Sequence, residues 1–106
     1  MTKQTGSELT LTELERRARS GSLSDIDYLM ENLEVSQSFL NCKMIDYALG
    51  LVSSREGGER IKYYLFNGNQ MQRNYAALYF KRLGATLVID EAFQQGCIDE
   101  IQAYSR

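Results

Sequence analysis

Taken as a pattern of apolar and polar positions, the chain divides into short stretches of helical period. Leu11, Leu14 and Ala18 recur at i, i+3 and i+7 and predict a first helix over 11–19, opened by Thr10 with Glu13 three residues on, a capping-box spacing. Ser20-Gly21-Ser22 ends it. Ile26, Leu29, Met30 and Leu33 make one stripe over 25–34, with Ser24 as the expected N-cap and Asp27 three residues later. Ser36 or Ser38 opens a third helix over 39–54. Its apolar positions cover more than half the circumference and leave Lys43, Asp46, Gly50 and Ser53 as a narrow polar edge. That width predicts burial on more than one side.

Gly57-Gly58 suggests a flexible connection before a fourth helix over 59–66, and Asn67-Gly68 suits a left-handed cap after it. The widest pattern follows. Asn69 is the expected N-cap and Gly84 the residue past the end. Between them Met71, Tyr75, Ala76, Leu78, Tyr79, Phe80 and Leu83 fill an arc of about 200°. Arg73, Asn74, Ala77 and Lys81 form the remaining edge. Gln72 and Arg82 fall inside the apolar arc, so Arg82 must snorkel or find a carboxylate, because an unpaired buried charge is very costly. Thr86 is the expected cap of a sixth helix over 87–95, closed by Gly96. A last short helix over 97–106 carries Ile98, Ile101 and Tyr104. No strand alternation competes. The fold class expected is all-α, a compact array of six or seven short helices, with 1–9 as a polar, disordered lead-in and 10–106 as one domain.

Composition narrows the function classes. The 106 residues carry no Pro, no Trp and no His. Lack of Pro suits uninterrupted helices. Lack of His removes Ser-His-Asp and Cys-His catalysis, His general bases and imidazole zinc sites. Cys42 and Cys97, far apart and in no Cys-x-x-Cys, read as two reduced cysteines packed as small hydrophobes. A net charge of −2 gives no bulk attraction to nucleic acid or anionic lipid. No apolar run approaches the ~18 residues needed to span a bilayer, and the N-terminus has no apolar signal segment. A cytoplasmic protein without cofactor or metal is the expectation.

Several charged groups have both a structural and a chemical reading. Arg16, Arg17 and Arg19 fall in the last turns of the first helix, where the dipole favours cations, and phosphate binding is the sharper alternative. Asp25 and Asp27 read as a solvated face, since no further oxygen-ligand spacing follows for a metal. Gly57-Gly58 lacks the Lys-Ser/Thr and the preceding strand of a phosphate loop. Two features read as binding surfaces. One is the strip of Arg73, Asn74 and Lys81, with Lys62, Arg60 and Arg55 beside it if the fourth and fifth helices are antiparallel. Residues 54–106 carry seven basic and six acidic side chains against five and eight in 1–53, so the second half is the more basic. The other is the set of seven tyrosines, a residue type that suits half-buried positions and interface hot spots. Tyr63 and Tyr64 are adjacent, so one of them must face outward.

An offset of 28 residues aligns Tyr47-Ala48 with Tyr75-Ala76, Val52 with Phe80, Ile61 with Ile89 and Gly68 with Gly96. Stacked helical hairpins repeat in this way. Arg73-Asn74-Tyr75-Ala76-Ala77-Leu78, followed by Arg82-Leu83-Gly84, resembles a HEAT-type repeat of the short, phycobilisome-lyase-like sort. The resemblance covers 69–96 best, and it departs from that pattern in lacking the usual opening Pro and the Asp-containing turn after Gly84. It implies a short stack of helical hairpins that binds through a helix-lined surface, and it does not by itself imply lyase activity. The functional expectation is a non-enzymatic protein–protein interaction or adaptor module, with no catalytic residue. Its candidate binding residues are Arg73, Asn74, Lys81, Tyr63 and Lys62. A homodimer is expected from the apolar face of the last helix. The alternative is nucleic-acid binding through the Arg73/Lys81 face.

Overall fold

Serine, asparagine and aspartate side chains start most of the helices, because a short oxygen can satisfy the N–H groups of a first turn that have no partner within the helix. The structure, a computed structural model, describes residues 9–105. The expected lead-in therefore lies outside the described residues except for Leu9, which packs against the core. Seven helices and no strand occur among the described residues: α1 (Leu11–Ser20), α2 (Leu23–Glu31), α3 (Phe39–Leu49), α4 (Arg55–Asn67), α5 (Gln70–Leu83), α6 (Thr86–Gln94) and α7 (Glu100–Tyr104). The radius of gyration, 13.1 Å, is that of one compact domain of about 100 residues.

Several boundaries match the pattern and several correct it. Thr10, Ser38 and Asn69 cap α1, α3 and α5, and Gly84 ends α5 at φ 73°. α2 is capped by Ser22 and not by Ser24: the Ser22 hydroxyl accepts the N–H of Asp25, also an acid three residues on, at 3.3 Å. α4 begins at Arg55, so Gly57 and Gly58 are helical and make no flexible joint. Ser54 caps this first turn by accepting the Gly57 N–H at 2.9 Å. Gly57 is required by space: a Cβ there would stand 2.6 Å from Val52 Cγ1 and 2.8 Å from Ser54 Oγ. Gly68 is extended (φ −77°, ψ 179°) and not left-handed; a Cβ on it would meet the Tyr64 carbonyl at 2.7 Å. α6 starts at Thr86 behind Ala85, with no side-chain cap.

The helices pack as consecutive neighbours plus next-but-one neighbours. α1 lies against α2 and α3, α2 against α4, α4 against α5, and α5 against α6 and α7. α2 and α4 run side by side in the same direction. Three ties between their segments share a separation of 33 residues: the Ser54 hydroxyl donates to the Gly21 carbonyl at 3.0 Å, the Leu23 N–H to Glu56 Oε2 at 3.3 Å, and Arg60 Nε to Asp27 Oδ1 at 2.7 Å. A constant offset along two helices requires parallel axes, and alternate helices of successive hairpins lie this way. The core between them holds Leu14, Ile26, Leu29, Ile45, Leu49, Ile61 and Leu65, all fully buried, each contributing about 1.5–3 kcal/mol. Residues paired by the 28-residue offset are alike where they are apolar and buried (Ala48 and Ala76, Val52 and Phe80, Ile61 and Ile89). The glycines they lead to differ, since Gly68 is extended and Gly96 has φ 77°.

α3 departs from its pattern. It ends at Leu49, and Phe39, Leu40 and Tyr47 are exposed, so one face of it is buried and not several. Asp46, expected on the polar edge, is buried and takes both guanidinium Nη groups of Arg82 at 2.9 and 2.8 Å. Arg82 has thus found the carboxylate its position demanded. Gln72 is satisfied in the same way, donating to the Met30 carbonyl at 2.9 Å while closing the Asn69 capping box.

Candidate interaction surface

α4 and α6 leave an open groove of about 400 Å³ between them, lined by Glu59, Lys62, Tyr63, Phe66 and Asn67 from α4 and by Glu91 and Gln95 at the end of α6. Two of the expected binding residues, Lys62 and Tyr63, meet here. Tyr63 is 47% exposed, while Tyr64, one position on, is buried. Adjacent helical residues diverge by about 100°, so the outward tyrosine is settled by which of the two meets the core.

The exposed Tyr63 ring is braced from beneath. Asp27 on α2 accepts Arg60 Nε at 2.7 Å and Arg60 Nη at 3.3 Å, and also accepts the Tyr64 hydroxyl at 2.8 Å. Held so, the Arg60 guanidinium lies over the Tyr63 ring, 4.4 Å from its centroid, a cation–π contact. Tyr63 also meets Tyr64 edge to face at 5.4 Å. The chain of contacts therefore runs from an α2 carboxylate through an arginine to the ring on the surface. Hydrogen bonding to Asp27 raises the pKa of Arg60 and keeps it charged. Burial, then the bond to Asp27, pushes the Tyr64 hydroxyl far above the ordinary tyrosine value, so it stays a donor. Asp27 is thus a structural tie and not part of a solvated face. Asp25 is likewise engaged, accepting Arg17 Nη at 2.9 Å and the Ser22 hydroxyl at 3.1 Å. Arg17 also donates to Glu13 and lies over the Tyr28 ring at 3.8 Å, and Arg16 pairs with Glu13, so these two arginines of α1 are engaged by neighbouring groups.

The Arg73, Asn74 and Lys81 strip lies elsewhere, on the side of α5 that meets α7. In place of an open edge, Arg73 Nε donates to the Gly68 carbonyl at 2.8 Å and Arg73 Nη to the Cys97 carbonyl at 3.3 Å. Lys81 Nζ donates to the carbonyls of Gln102 at 3.0 Å and Ser105 at 2.6 Å. Arg73 Nη and Lys81 Nζ thus donate to main-chain carbonyls in and around α7, the last of which have no partner within the helix. Asn74 is half-buried and Ala77 is buried. The strip and the Lys62/Tyr63 pair therefore form two separate regions. In α7 itself Ile98, just before the helix, is buried, whereas Ile101 is 70% exposed and Tyr104 packs on Phe93.

Glu59 and Gln95 line the groove without having stood out in the sequence. Phe66 widens the apolar face of its helix, but the meeting of α4 with the end of α6 leaves no local signal. Among the described residues no group of three or more Cys, Asp or Glu side chains is placed to hold a metal ion, and no helix is long and apolar enough to cross a membrane. No protein-family profile, curated protein or solved structure matches the chain.

Proposed function

We propose that the protein is a non-enzymatic interaction module of the cytoplasm, HEAT-like in the stacking of its helical hairpins, which holds a polypeptide segment in the α4/α6 groove and also associates with itself. The observation that carries this reading is Tyr63: a large ring half in solvent, yet fixed by Arg60, Asp27 and Tyr64. Side chains ordered before binding lose less entropy when the partner arrives, and tyrosine is a frequent hot-spot residue. Phe66 supplies apolar wall beside it. Glu59 and Glu91 stand on the two sides of the groove. The chemistry fits a segment that inserts an apolar side chain flanked by basic ones. The parallel α2/α4 packing supports the hairpin stacking. The nucleic-acid reading is the weaker one, since Arg73 and Lys81 each already donate to two main-chain carbonyls.

The test is quantitative co-purification from cells of the wild-type chain, Tyr63→Ala, and Leu87→Ser as a control on an exposed residue outside the groove. A protein retained by wild type and by Leu87→Ser, and depleted about tenfold or more by Tyr63→Ala, is the expected outcome. Equal retention by all three contradicts the reading.

A further inference from the structure

The groove between α3 and α5 has a different chemistry from the one beside Tyr63. Its volume is about 420 Å³, and its lining is Lys43, Asp46, Tyr47, Gly50 and Leu51 from α3 and the turn after it, with Arg82 from α5. Asp46 is the one carboxylate in that lining, and it is turned inward. Its side chain is 7% exposed, and each of its oxygens accepts a terminal nitrogen of Arg82. The Arg82 side chain, by contrast, is 50% exposed. Asp46 therefore fixes the guanidinium in place and offers little negative charge to the groove. An arginine carries five N–H donors. Arg82 commits one on each terminal nitrogen and makes no other hydrogen bond among the described residues. Its Nε–H and the outer hydrogen beside it remain as a second fork, a geometry that takes a carboxylate at two points.

Lys43 is exposed and has no hydrogen bond or ion pair among the described residues; its ammonium lies 5.8 Å from the Phe39 ring. Tyr47, one turn further along α3, is 54% exposed. Phe39, Lys43 and Tyr47 follow one another at i, i+4 and i+8 along one side of the helix. We propose that this groove docks an acidic side chain of a partner polypeptide, a glutamate or aspartate whose carboxylate takes the free edge of Arg82 and the Lys43 ammonium. Charge complementarity selects the acid: two cations with donors to spare line the groove, and its one anion is buried and already paired. Apolar surface selects the polypeptide. Tyr47 and Leu51 line the groove, and Phe39, 77% exposed, stands one turn before Lys43. Residues flanking the acid cover that surface, which a free inorganic anion leaves bare. A polynucleotide would need a row of unpaired cations along its phosphates, and in this groove only Lys43 is unpaired.

The site is separate from the Tyr63 groove, and neither reading depends on the other. The probe is a random dodecapeptide library displayed on phage and selected on the full, reduced chain, with Tyr63→Ala and Lys43→Glu selected in parallel. Wild type and Tyr63→Ala are each expected to enrich peptides with an acidic residue beside apolar ones about tenfold over the library, and Lys43→Glu to lose that motif. The most enriched acidic peptide is then synthesised and titrated into the isotope-labelled chain. Resonance shifts are expected at the Lys43, Tyr47 and Gly50 amides and at the Arg82 Nε–H. Binding is expected to weaken at least fivefold when the acid of the peptide is replaced by its amide, and again when salt is raised to about 0.5 M. No acidic enrichment, an acidic motif that survives Lys43→Glu or vanishes with Tyr63→Ala, or shifts confined to other residues overturns the proposal. Inorganic phosphate that shifts the same groups with equal affinity also overturns it, in favour of a plain anion site. Lys43→Glu lies at an exposed position, and unchanged circular dichroism shows that it is folded; were it unfolded, Lys43→Gln takes its place with the same loss expected.

Discussion

Arg82 and Asp46 form a two-pronged ion pair between α5 and α3, at 2.9 and 2.8 Å, with the Asp46 side chain only 7% exposed. The bond to Asp46 raises the Arg82 pKa. Removing the cation strands a buried carboxylate, whereas half of Arg82 is in water. Arg82→Ala is therefore expected to cost about 1–3 kcal/mol, after allowing for solvent screening of the exposed end. Arg82→Ala combined with Asp46→Asn should cost less than the sum of the two single changes. Urea unfolding of the three variants checks both statements.

The paired glycines separate by their surroundings. Gly57→Ala forces a methyl to within 2.6 Å of Val52 Cγ1 and 2.8 Å of Ser54 Oγ and is expected to destabilise by about 1–3 kcal/mol. Gly58→Ala meets only Tyr79 Oη at 3.7 Å and is expected to stabilise by about 0.4–1 kcal/mol, since alanine restricts the unfolded chain at a helical position. Thermal unfolding of the two variants gives opposite signs.

Lys81 ties α7 to α5. Lys81→Met removes the donor that serves the Gln102 and Ser105 carbonyls, and a five-residue helix has little stability of its own. Amide exchange is expected to quicken over α7 while α2 and α4 keep their protection; no change in α7 exchange counts against the tether.

Stability is expected to fall at both pH extremes for different reasons. The Ser20 hydroxyl bond, helped by Ser22 and Arg17 and opposed by burial, lowers the Asp25 pKa. Its contribution is present above the ordinary aspartate value of about 4 and is lost as pH falls through the lower, folded one. Burial raises the pKa of Tyr64 and Tyr79. Their contribution is complete below about pH 10 and is lost as pH rises through the raised values. Asp25→Asn should flatten the acid limb of stability against pH, and Tyr64→Phe the alkaline limb, as read by urea midpoints.

How much of this was legible follows from the range of each signal. The caps at Thr10, Ser38 and Asn69 and the turn at Gly84 are local arrangements of four or five residues, and they stand where the pattern puts them. So does the demand of Arg82 for a carboxylate, although its partner, 36 residues away, could not be named. Ser22 and Ser24 each precede an acid by three residues. The spacing alone does not choose between them; Ser22 is the cap, accepting the Asp25 N–H. Gly57-Gly58 looks like a joint until Val52 and Ser54 are seen against it. Within the candidate site, the outward turn of either Tyr63 or Tyr64 was legible from their adjacency. Whether the Arg73/Lys81 edge faces solvent was not legible, because the main-chain carbonyls it meets around α7 leave no trace in a hydrophobicity pattern.

The central claim is that Tyr63 marks the surface where a partner polypeptide binds. A photo-activated phenylalanine analogue placed at position 63 in living cells, with the same analogue at Leu87 as a second position, tests it most directly. One discrete adduct with another protein is expected from position 63, suppressed when Phe66→Ala is added, and none of that mass from position 87. No adduct from position 63, or the same products from both positions, would contradict it.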